Sequence, residues 1–147
     1  MSKIKQEMYK YIGSGSSRKV FDLGNGYVVK VAKNSAGVAQ NKMEYKISLM
    51  DNSNLFAKVL QVSKNFHALI MEKADKIDDF SSVCNYFKVE NILQVLTLKE
   101  LQNLYFKYNL LLNDLRRTSS WGIINERPVI IDYGFTTEIR EKYYSFH

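Results

Sequence analysis

Two glycine-bearing turns within the first 26 residues, each followed by a strand-forming run, commit the start of this chain to an antiparallel meander. Tyr9 to Ile12 leads into Gly13-Ser14-Gly15-Ser16-Ser17, and Val20 to Leu23 forms the next short run. Gly24-Asn25-Gly26 is a tight-turn signal, and Tyr27-Val28-Val29-Lys30-Val31-Ala32 is β-branched and largely apolar. The period then changes: Met43, Ile47 and Met50 recur at helical spacing, which predicts a helix over residues 38–50. After Asp51-Asn52-Ser53-Asn54, strands are expected at Phe56 to Val62 and His67 to Met71, joined by Ser63-Lys64-Asn65.

From Asp78 onward the pattern is helical. Thr97-Leu98-Lys99-Glu100 reads as a capping box. Behind it Leu98, Leu101, Leu104, Tyr105, Tyr108, Leu111 and Leu112 mark one apolar stripe, expected to end near Asn113 or Asp114. A hairpin follows, with Trp121 to Ile124 and Val129 to Asp132 flanking Asn125-Glu126-Arg127-Pro128, and Tyr143, Tyr144 and Phe146 suit a last short helix. The order predicts an α+β fold of two small lobes, residues 1–73 and 74–147 of a single domain, hinged at Met71-Glu72-Lys73-Ala74.

At 147 residues the chain is one domain by length, and its 46% apolar content supports a real core. A lone cysteine, Cys84, excludes an internal disulfide and reads as core filling. No apolar run approaches the ~20 residues of a membrane span, and Met1-Ser2-Lys3-Ile4-Lys5 lacks a secretory stretch, so a cytoplasmic protein with no membrane contact is expected. The formal charge of +6 suits phosphate-bearing ligands or acidic partners, but the basic residues are dispersed; Arg116-Arg117 is the nearest to a cluster.

Certain residues can carry chemistry. Gly13 and Gly15 flank Ser14 in a strand-to-strand turn, where missing side chains let backbone approach phosphate oxygens. Lys30 shares a strand face with Val28 and Ala32, and a buried lysine needs a partner or a ligand phosphate. Glu44, on the following helix, is a candidate partner. Asp114 lies at the end of the long helix, and Asp132 directly follows Val129-Ile130-Ile131. A carboxylate at such a core boundary suits Mg²⁺, which takes one or two protein oxygens and leaves the rest to phosphate and water.

In combination these segments resemble the protein-kinase-like fold over residues 9–136. Gly13-Ser14-Gly15-Ser16-Ser17-Arg18-Lys19-Val20 is similar to its glycine-rich loop, with Arg18 where a third glycine is usual and Val20 matching. Tyr27-Val28-Val29-Lys30 resembles the strand carrying the phosphate-pairing lysine, Glu44 the helix glutamate that orients it, Asn113-Asp114-Leu115 the catalytic loop, and Asp132-Tyr133-Gly134-Phe135 the metal-binding segment. The resemblance implies that Glu72 to Ala74 would bind adenine through backbone groups. It also implies ATP and Mg²⁺ as cofactors, with Asp132 and Ser119 as metal ligands. Ser119 stands where the family has asparagine, Ser120 is the alternative register, and Leu112 replaces the usual histidine. After Phe135 too few residues remain for an activation segment and a helical substrate platform, so a minimal, truncated form is expected.

Two functional readings follow. One is a phosphotransferase acting on a protein hydroxyl, with Lys30, Glu44 and Asp114 as catalytic residues. The other is a pseudokinase that binds nucleotide and modulates a protein partner without transfer. Nucleic-acid binding by the basic, aromatic-rich surface ranks below both.

Overall fold

The computed structural model describes residues 9–144; the readings at Met1 to Lys5 and at Phe146 lie outside them. The chain divides into two compact units. One holds the described residues up to Met50 together with Lys58–Lys73; the other holds Asp51–Ala57 and the described residues from Ala74 onward.

The first unit is built on a five-stranded antiparallel sheet of order β1-β2-β3-β5-β4, with β1 at Lys10–Ser14, β2 at Arg18–Asp22, β3 at Tyr27–Ala32, β4 at Val59–Val62 and β5 at Ala68–Glu72. Gly24 and Gly26 take positive φ in the β2–β3 turn, which is what glycine permits there. Strand β3 sits centrally, pairing Val20 with Lys30 on one side and Lys30 with Leu69 on the other. Among the described residues of this unit the helix is α1, Ser35–Met50, which starts three residues earlier than the apolar period indicated. Its start is pressed against the sheet at Gly37, where a Cβ would run into the Ser17 carbonyl and Ala32. Ile47 is buried, but Met50 is exposed. The buried residues also include Gln40, Asn41 and Glu44 beside Ala36 and Gly37, so half of the buried stripe of α1 is polar.

The second unit combines a three-stranded sheet, β6 (Asp75–Lys76), β7 (Trp121–Ile124) and β8 (Arg127–Ile130), with helices α2 (Ser81–Phe87), α3 (Ile92–Thr97), α4 (Lys99–Tyr108), α5 (Leu112–Leu115) and α6 (Thr137–Tyr144). The capping box does not form. Thr97 closes α3, donating its hydroxyl to the Gln94 carbonyl, and Leu98 precedes α4 without a side-chain cap. The long helix is also shorter than its stripe. Asn109 adopts the left-handed conformation (φ 56, ψ 39) and ends α4 at Tyr108, and Leu110 then forms a bridge with Thr136. Residues Leu111 and Leu112 continue the apolar period by sequence, yet they lead into the separate helix α5.

Phe56 is not part of β4. It forms a parallel bridge to Ile130, flanked by Ala57 N–H to Ile130 O (3.0 Å) and Ile130 N–H to Leu55 O (2.7 Å). Its ring packs on Tyr133 and Tyr108, with centroids 4.5 and 5.9 Å away. These contacts are why Asp51–Ala57 groups with the second unit although residues 1–73 read as one lobe. Val83, Cys84, Val95, Leu101, Leu115, Trp121, Val129 and Ile130 complete that core. Among the described residues no helix is long and apolar enough to cross a membrane.

Candidate functional site

The candidate residues fall into two clusters, one in each unit. In the first, Lys30 projects from β3 with its Nζ 2.9 Å from Glu44 Oε1, and both side chains are buried. Arg18, at the start of β2, donates Nη1 to the same oxygen at 2.8 Å and Nη2 to Oε2 at 3.0 Å. The fork geometry of the guanidinium fixes the carboxylate plane, which a single ammonium cannot do. Asn41, one turn before Glu44, accepts from Arg18 Nη1 at 3.1 Å and donates to Phe66 O at 2.9 Å. Phe66 holds a left-handed backbone (φ 60) in the β4–β5 turn where it offers that carbonyl.

The charge state of Glu44 follows from these contacts. Burial pushes its carboxyl up, but Arg18 and then Lys30 outweigh burial and hold it at about 2. Glu44 therefore stays ionised, and Lys30 is held at a fixed point on β3.

The glycine turn is tied down by its own carbonyls. Lys33 Nζ donates to Gly15 O at 2.7 Å, Lys33 N–H to Ser17 O at 2.7 Å, and Asn34 Nδ2 to Ser16 O at 3.4 Å. The Gly15 amide is spent on Arg18 O at 2.9 Å, so Gly15 offers space, not a donor. A Cβ at Gly13 or Gly15 would meet nothing within 4 Å, and neither glycine has positive φ. Ser14 is exposed at the end of β1, and Val20 is half-buried on β2. At the end of β5 the Glu72 amide is taken by Lys58 O and the Lys73 amide by Gly26 O. The Ala74 amide is the one of the three that these contacts leave over.

In the second unit three segments converge. Trp121 Nε1 donates to Leu115 O at 2.8 Å, fixing α5 and with it Asp114. Ile131 N–H donates to Ser120 O at 2.8 Å, tying the end of β8 to the 3-10 turn Thr118–Ser120. Tyr133, buried, donates its hydroxyl to Ala57 O at 2.6 Å and anchors the residue beside Asp132. Asp114 is half-buried, and burial followed by the charge of Asp132 raises its carboxyl above the ordinary value, opposed by Arg117 and Arg140. Asp132 is exposed, as is Ser119, whereas Ser120 is buried. A half-buried carboxylate raised by burial and by a neighbouring carboxylate's charge is a fit for a divalent cation, which removes the repulsion. Among the described residues no group of three or more His, Cys, Asp or Glu is placed to hold a metal.

No protein-family model matches this sequence, and no curated protein matches it either. Solved structures do match in fold. The streptomycin–ATP–APH(2")-IIa ternary complex is 16% identical, with 91% of this chain and 70% of that one covered at a TM-score of 0.53. The gentamicin–APH(2")-IIa complex has the same identity and coverage at 0.52. ADP-bound aminoglycoside phosphotransferase APH(2'')-Ib is 15% identical, with coverages of 89% and 68% at 0.50. The fold is protein-kinase-like.

Within the kinase-like fold, Lys30 and Glu44 form an ion pair on the third strand and its following helix. Arg18 and Asn41 are the residues of this cluster that sequence reasoning missed. Arg18 registered only as a departure from a glycine, and Asn41 was given no role on its helix. The available signal was the order of two cations on adjacent strands before an acid on the next helix. Its cost to bury is offset only if all three meet.

Proposed function

We propose that this chain binds ATP with Mg²⁺ and acts as a kinase-like phosphotransferase on a protein hydroxyl. The observation that carries the reading is the buried Lys30–Glu44 pair, with Lys30 held on a central strand of a kinase-like fold. Lys30 would pair with nucleotide phosphates, Gly13, Ser14 and Gly15 would admit them, and Val20 would cover the base. The Glu72 to Ala74 backbone would take the adenine edge, with Ala74 as the donor. Asp132 would hold Mg²⁺ with Ser119 as a second ligand, and Asp114 would orient the acceptor hydroxyl and take its proton. Bound Mg²⁺ supplies neutralisation of phosphate charge during transfer, a reaction that depends mostly on positioning and electrostatics.

Thermal denaturation with and without ATP–Mg²⁺ tests the binding step. A ligand at 100 times its Kd stabilises by about 2.7 kcal/mol, a rise of roughly 5–10 °C in a domain of this size. Lys30→Ala is expected to abolish the rise, and Asp132→Asn to abolish its Mg²⁺-dependent part. No rise in the unmodified chain at millimolar ATP sinks the reading.

Gly15→Ala separates ligand space from structural need. Because the new Cβ meets nothing and φ is compatible, stability should hold or rise by about 0.4–1 kcal/mol. ATP affinity should fall at least several-fold in the same protein. Unchanged affinity, measured by calorimetric titration, would remove the glycine turn from the site.

The second reading, a pseudokinase that modulates a protein partner, is favoured by Ser119 and Leu112 standing at the family's asparagine and histidine positions. It predicts ATP binding without labelling of any protein by γ-³²P-ATP. Labelling that vanishes in Asp114→Asn would decide for transfer.

A further inference from the structure

Asp114 lies in an arginine-rich surround. Arg116 and Arg117 follow it after Leu115 and are exposed; Arg117 Nη1 is 3.8 Å from Asp114 Oδ1, and its side chain is 68% accessible. A third arginine comes from elsewhere in the unit. The start of α6 is docked against the residues leading into α5 by the Leu110–Thr136 bridge and by Thr137 N–H to Asn109 O at 3.0 Å. Ile139 is buried and holds the helix down, which leaves its neighbour Arg140 exposed. The charge of Arg140 reaches Asp114. Of the acids on α6, Glu138 accepts from Asn109 Nδ2 at 3.4 Å, and Glu141 is exposed.

Charge bookkeeping gives this arrangement a direction. Arg116, Arg117 and Arg140 set three guanidinium charges against the two carboxylates of Asp114 and Asp132, and a cation held by Asp132 would tip that balance further. Guanidinium forks match carboxylate and phosphate oxygens in pairs. A polycationic acceptor would meet like charge there. Polynucleotide binding, by contrast, draws on phosphate contacts spread along a backbone, often six or more, and this cluster is short.

We propose that the surface around Asp114 takes an acidic polypeptide segment: a hydroxyl residue flanked by Asp, Glu or phosphorylated side chains, held by Arg116, Arg117 and Arg140. This rests on the reading above in placing the acceptor beside Asp114, but it applies whether the segment is phosphorylated or only bound. Exposed charge pairs are individually weak, so the three arginines together are expected to give on the order of a 10- to 100-fold preference.

The test uses the full chain and three fluorescent peptides built around one serine, flanked by glutamates, glutamines or lysines, with affinity read by anisotropy at low salt. The glutamate peptide should bind at least about tenfold tighter than the lysine peptide, with the glutamine peptide between. Arg117→Glu/Arg140→Glu should invert that order, and Arg117→Gln/Arg140→Gln should flatten it, with unchanged circular dichroism in both. Equal or tighter binding of the lysine peptide or of gentamicin overturns the proposal. So does a preference that survives both double variants, or tighter binding of an oligonucleotide of equal charge with a steep salt slope. Anisotropy needs no nucleotide. If ATP fails to bind while the arginine-dependent preference persists, the nucleotide reading falls and this one stands; the converse result reverses that.

Discussion

Glu44→Gln is expected to lower folding stability by about 3–5 kcal/mol at pH 7, the largest loss predicted for any single polar substitution in this chain. Glutamine keeps the shape and removes the charge. Arg18, bidentate at 2.8 and 3.0 Å, and Lys30, at 2.9 Å, then lose the carboxylate to which both donate in a buried place. An independent route reaches the same size. The carboxyl sits at about 2 when folded against an ordinary 4.5, a gap worth roughly 3 kcal/mol of linkage. Because the folded value is depressed, this stabilisation is complete above pH about 4.5 and is lost as pH falls toward 2. The difference between the unmodified chain and Glu44→Gln in urea denaturation should therefore be full at pH 7 and shrink steadily below pH 4. Arg18→Met should approach the Glu44→Gln loss, since the fork supplies the leading favourable charge. A Glu44→Gln loss under 1 kcal/mol at pH 7, or one that does not change between pH 7 and 2.5, would be incompatible with the triad as described.

The same cluster shows what a sequence can and cannot convey about such a fold. Lys30 and Glu44 were legible as a pair because an acid and a base that must be buried constrain each other. Arg18 was not, because β2 is short and its burial pattern does not alternate cleanly. Asn41 was hidden by the assumption that the apolar side of α1 is its inward side; here the inward side binds carbonyls and cations. In the second unit the hairpin was legible from Asn125-Glu126, but β8 takes in Arg127 and Pro128 and ends at Ile130, so Ile131 and Asp132 lie beyond the strand that was expected to carry them. The end of α4 did not, because one left-handed residue, Asn109, outweighs an apolar stripe that runs on through Leu111 and Leu112. Phe56 was read as strand from its neighbours, but its partner Ile130 is remote in sequence, and tertiary pairing leaves no local trace. Asp132 is positioned by similar means, through the Tyr133 hydroxyl on Ala57.

Asp114→Asn is expected to move stability and transfer in opposite directions. Burial, and then the negative charge of Asp132, makes the ionised Asp114 carboxylate unfavourable in the folded chain. Its folded value lies above the unfolded one, so ionised Asp114 destabilises at neutral pH, and the penalty disappears below the ordinary carboxylate range, where both states are protonated. Asparagine removes the charge while keeping the shape, so the variant should melt higher than the unmodified chain at pH 7 and match it near pH 3. Phosphoryl transfer, by contrast, should fall about 10²–10⁴-fold if Asp114 takes the acceptor proton, the range that general-base groups contribute. The opposed signs are what distinguish a functional carboxylate from a structural one. A structural Asp114 would lose stability on substitution, and any drop in transfer would track the fraction unfolded. Adding Mg²⁺ sharpens the comparison: a cation held near Asp114 and Asp132 relieves their repulsion, so it should stabilise the unmodified chain more than Asp114→Asn. Equal Mg²⁺ stabilisation of both proteins, or a lower melting point for Asp114→Asn at pH 7, would show that the raised carboxyl is not held in reserve for chemistry.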